Sequence, residues 1–348
     1  MKRYLGFVLI LVFILQSAAC GVNMENDISE STRTFVDSCG REVVIPKKIE
    51  RIAVTGSMAQ IIVFAIAPDL LVGVSGEWGK AAEPYIDEAY LNLPVLGQLY
   101  GGKGELNLET LLQSGAQIVI DIGDAKSGVA EDMDALQQQT GLPFVHLDAS
   151  LFTLEQTYML LGELLDRGEQ AAVLSGYCRE IYDRATSISV KVEKKECLYL
   201  LGEQGLNVIG RDTYHSGVID LMTENIAVLD NPSSKGTGNE VDMEQLMLWD
   251  PEFIIFAPGS IYHEVASDPL WQNLQAIREG NYIQAPMGPY NWISMPPSAQ
   301  QLLGLIWLGA ELYPDDCGYD LYTEVATYFK LFYHTELTQA AFSALINP

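Results

Sequence analysis

The sequence predicts an α/β fold of two similar lobes, and three observations predict it. Short apolar runs alternate with helical patterns, a long helical stretch occupies the middle, and the two halves echo each other across it. The first half carries "RIAVTG" (51–56), "LLVGVSG" (70–76), "LPVLGQ" (93–98), "QIVIDIG" (117–123) and "PFVHLD" (143–148). The second carries "CLYLLG" (197–202), "LNVIG" (206–210), "IAVLD" (226–230), "EFIIFAPG" (252–259) and "NYIQAP" (281–286). Runs that are apolar throughout and separated by helices belong to parallel sheets covered on both faces. The region from Ala299 onward reads as helical with an apolar face.

The middle stretch has no proline between Pro143 and Pro232. Leu154, Tyr158, Leu161, Leu165, Val173, Tyr177, Ile181, Ala185 and Ile188 recur at helical spacing. They predict one helix of roughly 35 residues, about 50 Å long, started by a capping box at Thr153 and Gln156. Gly162, Gly168 and Gly176 leave a broken pair of helices as the alternative. The echo is ungapped: "NLETLLQSGAQIVI" (107–120) aligns with "DMEQLMLWDPEFII" (242–255), pairing Glu109 with Glu244 and Leu111 with Leu246. Each copy reads as a capped helix start, a short helix and a buried strand. The expected architecture is therefore two Rossmann-like lobes, each a mostly parallel sheet flanked by helices, joined by one long α-helix with a cleft between them.

The start of the chain is of another kind. Met1-Lys2-Arg3 is followed by an apolar run from Tyr4 to Leu15 and then by "QSAACG". Twelve helical residues cover only about 18 Å, short of a bilayer's hydrocarbon core, so the pattern is an export signal and not a membrane span. Cys20, directly after Ser17-Ala18-Ala19, is similar to the lipidated cysteine of a bacterial lipobox, with Ser17 standing where leucine is usual. The expected divisions are a signal peptide (1–19), a lipidated N-terminus and flexible tether (20–40), an N-terminal lobe (41–150), the connecting helix (151–192) and a C-terminal lobe with closing helices (193–348).

Composition and missing motifs narrow the function. With 46 acidic and 20 basic side chains the net charge is −26. Nucleic acid is excluded, because phosphate binding needs a basic footprint. "GQLYGGKG" (97–104) nearly spells a phosphate-binding loop, but position 104 is glycine where a magnesium-holding hydroxyl is required. There is no GxSxG or HExxH, and His146, His215, His263 and His334 are scattered, so no catalytic constellation or resident metal site is expected. Cys39, Cys178, Cys197 and Cys317 show no zinc spacing and read as isolated thiols.

"DSCGREVVIPKKIERIAV", "NLETLLQSGAQIVI", "DMEQLMLWDPEFIIF", "DPLWQNLQAIREGNYIQAP" and "LLGLIWLGAELYP" occur in that order. Together they resemble the substrate-binding lipoproteins of ABC importers for iron–siderophore, haem and cobalamin-type complexes. The resemblance implies a monomer outside the cytoplasm, anchored to the cell membrane by its N-terminal lipid. It implies capture of a chelated metal complex, with no cofactor of the protein's own and no catalysis, and delivery to a permease with its ATPase subunits. It also implies that Glu109 and Glu244, one per lobe, dock on the permease. By their position alone both are acids in the first turn of a capped helix. Molybdate or tungstate, which related proteins of the fold carry, is the alternative cargo. A surface enzyme acting on a metal cofactor is the alternative of another class.

Open α/β sheets bind ligands beyond the carboxyl ends of their strands. The residues just past each strand are then the expected lining: Ser57, Met58, Glu77, Trp78, Tyr100, Asp124 and Lys126 from one lobe. The other supplies Arg211, Tyr214, His215, Ser260, Tyr262, His263, Tyr290, Asn291 and Trp292. Of these, Trp78, Tyr100, Arg211, Tyr214, His215, Tyr290, Asn291 and Trp292 are the expected ligand-binding set, with Arg211 placed to pair with an oxyanion of the ligand. The loop "GPYNWISMPPS" is expected to present its aromatics on a stiff, proline-punctuated turn, with Ser298 capping the next helix.

Overall fold

A computed structural model describes residues 31–100 and 105–347. The export signal, Cys20 and most of the 20–40 tether lie outside the described residues, as do positions 101–104 of the glycine-rich loop.

The described chain opens with an antiparallel hairpin of β1 (Thr32–Val36) and β2 (Glu42–Pro46), so part of the expected tether is strand. The N-terminal lobe comes next. Its parallel sheet has the order β3 (Ile52–Val54), β4 (Ile118–Gly123), β5 (Phe144–Asp148). The runs at 70–76 and 93–98 join it only as single bridges, Ile52 with Leu71 and Val74 with Val95. Gly73, Gly76, Pro94 and Gly97 interrupt these two runs, and such residues weaken a ladder. Helix α1 (Ser57–Ile66) comes after β3, α2 (Glu88–Leu91) lies further on, and α3 (Leu108–Gln113) and α4 (Val129–Thr140) flank β4.

The middle stretch is two helices, not one. Helix α5 (Leu154–Leu165) ends at Asp166, which adopts a left-handed conformation, and α6 (Gly168–Ser189) runs back along it. Arg179 on α6 pairs with Glu155 on α5 at 2.9 Å, which requires the two to be antiparallel. Gly162 permits the close crossing, since a Cβ there would lie 2.3 Å from that of Ala171. Thr153 forms no cap bond with the helix; its hydroxyl accepts from Ser150 N instead. The connecting element is thus the 22-residue α6, about 33 Å long.

In the C-terminal lobe the central strand β6 (Glu196–Leu201) pairs in parallel with β10 (Phe253–Phe256), which pairs in parallel with β11 (Tyr282–Gln284). On the other side the short β7 (Asn207–Val208) and β9 (Asn239–Glu240) run antiparallel, and β8 (Glu224–Asn225) pairs in parallel with the start of β6. The run at 226–230 forms no strand. Helices α7 (Gly217–Met222), α8 (Met243–Trp249) and α9 (Gln275–Glu279) surround this sheet. Helices α10 (Gln301–Leu312), α11 (Pro314–Cys317), α12 (Leu321–Phe332) and α13 (Gln339–Ile346) close the chain.

The echo is structural. Asn107 and Asp242 each accept a hydrogen bond from the backbone three residues on, at 3.0 and 2.8 Å. Leu111 and Leu246 are fully buried at matching positions, and Gly115 and Asp250 both take positive φ where the helices end. One apolar core runs from Phe35 through α1, α5 and α6 to Leu345, so both lobes share it; two smaller clusters fill the outer face of each lobe.

Candidate functional site

The lobes meet along two dissimilar sides. On one, Phe64 of α1 packs edge-on against Trp78 and Tyr90 (centroids 5.1 and 5.2 Å apart), and Trp78 leans on Tyr290 at 6.1 Å. Tyr333 and His334 continue this layer from the closing helices. Two of the rings are also held by their polar tips: Trp78 Nε1 donates to Tyr90 O at 3.2 Å, and His334 Nε2 bonds to Phe64 O at 3.1 Å. This side is packed aromatic core.

The other side is polar. Tyr214, from the loop between β7 and α7, reaches across to the carboxyl ends of the N-terminal strands. There its hydroxyl donates to Ala149 O and lies 3.4 Å from Met58 Sδ. Burial, followed by the charges of Asp124, Asp148 and Asp121, holds the Tyr214 hydroxyl well above its ordinary pKa. Beside it the imidazole of His215 donates from Nδ1 to Ser294 O at 3.0 Å. Burial outweighs that hydrogen bond, and with Lys126 from the opposite lobe it lowers the His215 pKa, favouring a neutral ring. Lys126 also stands 5.4 Å over the ring of Tyr100, whose hydroxyl donates to Asp132 Oδ2 at 2.5 Å. Burial and Asp132 push the Tyr100 hydroxyl up.

Behind this surface lies a buried network. Thr55 Oγ1 donates to Asp121 Oδ1, and His146 Nδ1 donates to Asp121 Oδ2 at 2.7 Å. Asp121 and His146 are register partners on β4 and β5, and both are at least 95% buried. His146 Nε2 has no hydrogen-bond partner among the described residues. The pair is shut away from solvent, so its visible role is to fix the strand ends that carry Ala149 and Asp124. No group of three or more metal-ligating side chains occurs among the described residues.

Tyr100, Lys126, Met58, Asp124, Tyr214 and His215 therefore come together across the lobes, while several other expected lining residues do not. Trp78 belongs to the aromatic layer. Asn291 is buried, with Nδ2 donating to Tyr199 Oη at 2.9 Å and Oδ1 accepting from Ile293 N and Ser294 N. Trp292 is fully buried, its Nε1 donating to Gly288 O at 2.9 Å, and α10 is packed so closely that a Cβ on Gly304 would strike its carbonyl. Tyr290 is largely buried against Trp78, and burial raises its pKa. The 288–298 loop is a structural corner, and Ser298 Oγ accepts from Gln300 N in the turn before α10.

Arg211 is misplaced for a different reason. It pairs with Glu224 at 2.7 Å, and Glu224 is the register partner of Glu196, the first residue of β6. Because β7 is antiparallel, the chain leaving it travels back towards the amino end of the sheet, away from the carboxyl edge. Tyr262 packs on Phe256 and Tyr282 in the outer cluster, and Glu77 and His263 are exposed. Asp121, His146, Asp148 and Ser294 were not foreseen. A polar, ionisable residue interrupting each of two apolar strands is the available signal for the first two.

The chain is thus a two-lobed α/β fold in which polar side chains from both lobes meet at one side of the junction. A profile described as periplasmic binding protein matches residues 52–287. The chain belongs to that family and is an extracytoplasmic solute-binding protein. Among solved structures it is similar to an ABC transporter solute-binding protein from Sulfurospirillum deleyianum (23% identity, 91% of this chain and 99% of that one, TM-score 0.82). It is also similar to a periplasmic solute-binding protein from Veillonella parvula (27% identity, 91% and 97%, TM-score 0.73). A third is the molybdate-bound periplasmic binding protein MolA of Haemophilus influenzae (20% identity, 88% and 99%, TM-score 0.71). No curated protein sequence matches the chain. No helix among the described residues is long and apolar enough to cross a membrane.

Proposed function

We propose that this receptor captures a chelated metal complex, an iron–siderophore in the first instance and haem or cobalamin as its nearest kin, and hands it to a membrane permease with ATPase subunits. The observation that carries the reading is the polar side of the lobe junction. Tyr214, His215 and Tyr100 offer rings with polar tips, Met58 adds apolar surface, and Asp121, Asp124 and Asp148 lie close around Tyr214. Such walls suit a bulky ligand with mixed apolar and polar faces. A bare oxyanion needs a tight nest of N–H donors and hydroxyls, and the nearby carboxylates of Asp124 and Asp148 oppose it. Molybdate or tungstate stays as the second reading because the molybdate-bound MolA shares the fold.

Equilibrium binding to ferric siderophores, haem, cobalamin, molybdate and tungstate tests this. Submillimolar binding of a metal complex, with the ligand recovered unchanged, is expected. Tighter binding of molybdate alone would overturn the cargo, and turnover of the ligand would make the protein a surface enzyme. Glu109 and Glu244, exposed in the first turns of α3 and α8, are the docking acids in this reading. Changing both to Ala is expected to abolish uptake with ligand binding intact. Cys20 carries the lipid; Cys20→Ser is expected to release a monomer from the membrane, and a variant that stays membrane-bound would remove the anchor.

A further inference from the structure

The echo that places Glu109 and Glu244 also repeats something less expected. In each short helix the face opposite the core continues from the acid into an apolar side chain one turn on. Leu112 on α3 is 50% exposed, and its counterpart Met247 on α8 is 38% exposed, with Leu248 beside it at 79%. On a helix, positions i, i+3 and i+4 share a face, so Glu109 and Leu112 form one strip and Glu244, Met247 and Leu248 the other. The core-facing positions between them, Leu111 and Leu246, are fully buried. Isolated exposed apolar residues need no explanation, but the same exposure at equivalent positions of two repeats does. Glu109 Oε1 accepts only from Gln113 Nε2, and neither acid has a basic partner among the described residues.

Both helices precede a parallel strand, so their first turns lie towards the carboxyl edge of their own sheets, in the same place on each lobe. A surface that carries one acid-plus-apolar strip twice, on two lobes fixed by a shared core, fits a partner that presents one basic-plus-apolar surface twice. Two weak contacts on a rigid frame reinforce each other through effective concentration.

We infer that Leu112 on one lobe and Met247 with Leu248 on the other are paired apolar anchors for a two-fold membrane permease, completing the docking strips begun by Glu109 and Glu244. This rests on the receptor reading above. The acids steer and orient the encounter and are weakened by salt, whereas the apolar anchors hold the complex and are not.

The test uses the full chain and its permease–ATPase complex in lipid vesicles, the complex being identified through a photo-crosslinker at Gln113. The readout is the receptor concentration giving half-maximal stimulation of ATP hydrolysis, at low salt and at about 0.5 M salt, where charge effects are screened within a few ångströms. Changing Leu112, Met247 and Leu248 together to Ser is expected to raise that concentration by at least about tenfold at both salts. Glu109→Gln with Glu244→Gln is expected to raise it steeply, and by a larger factor at low salt than at high salt. The conservative pair Leu112→Met and Met247→Leu should behave as wild type, and unchanged melting of every variant excludes misfolding. A triple Ser variant within about twofold of wild type, beside inactive acid variants, would overturn the anchors and leave docking by the acids standing. Wild-type protein that neither cross-links to a permease nor stimulates hydrolysis would overturn the receptor reading, and the anchors with it.

Discussion

The two sides of the lobe junction are both rich in aromatic rings, yet they are built to opposite ends. On the Phe64–Trp78–Tyr290 side the rings pack edge-on or tilted against one another, and the polar tips of Trp78 and His334 end on backbone carbonyls, so the layer acts as cement. On the Tyr214–His215–Tyr100 side the polar tips bridge lobes or meet charges: Tyr214 reaches Ala149, His215 feels Lys126, and Tyr100 holds Asp132. What separates cement from site is where the polar atom of each ring ends, a property of three-dimensional placement that ring content alone does not report.

Substitutions on the two sides should therefore fail differently. The largest effect is expected from Trp292→Ala in the fully buried corner behind the aromatic layer: a loss of about 3–5 kcal/mol in folding stability, measured by denaturant melts. Ligand affinity of the fraction still folded should stay near wild type, and loss of affinity at full stability would reassign the loop to the site. Tyr214→Phe removes one cross-lobe hydrogen bond and is expected to cost about 1 kcal/mol in stability. Ligand affinity should fall by roughly tenfold or more, a loss of about 1.4 kcal/mol of binding. Equal small effects on both would dissolve the contrast between the sides.

His215 sharpens the comparison through pH. Its folded pKa lies below the ordinary value of 6.5, so the unfolded chain binds the extra proton first. The contribution of His215 to stability is therefore present above about 6.5 and is lost as pH falls through the folded pKa. Difference melts between wild type and His215→Asn should diverge above that window and converge below it. A flat difference would mean that the ring is not held neutral. The smallest effect is expected at Arg211→Ala, which removes an exposed ion pair worth at most about 1 kcal/mol and should leave binding unchanged. A loss of affinity there would move the site towards the other end of β6.

Much of the fold was legible because parallel strands buried on both faces leave unbroken apolar runs, as at 117–123 and 252–259. The caps Asn107 and Asp242 were legible because a side chain satisfies an orphan backbone donor locally. The hairpin of α5 and α6 is legible only as the alternative to one long helix, because apolar periodicity continues across Asp166-Arg167-Gly168, whose left-handed turn needs no proline. The site was half legible. Tyr214 and His215 come after a strand and end in the junction, but Arg211 does not reach the carboxyl edge because β7 runs antiparallel, which a two-residue strand does not disclose in sequence. Asn291 and Trp292 turn inward, and nothing in a loop sequence says which way its side chains turn.

With a single core threaded through both lobes by α6, capture has no clamshell to close. Residence time then depends on the fit of the standing walls, and the arrival rate of a charged ligand depends on diffusion towards a chain of net charge −26. A receptor built in this way should load in one kinetic phase whose rate rises linearly with ligand concentration.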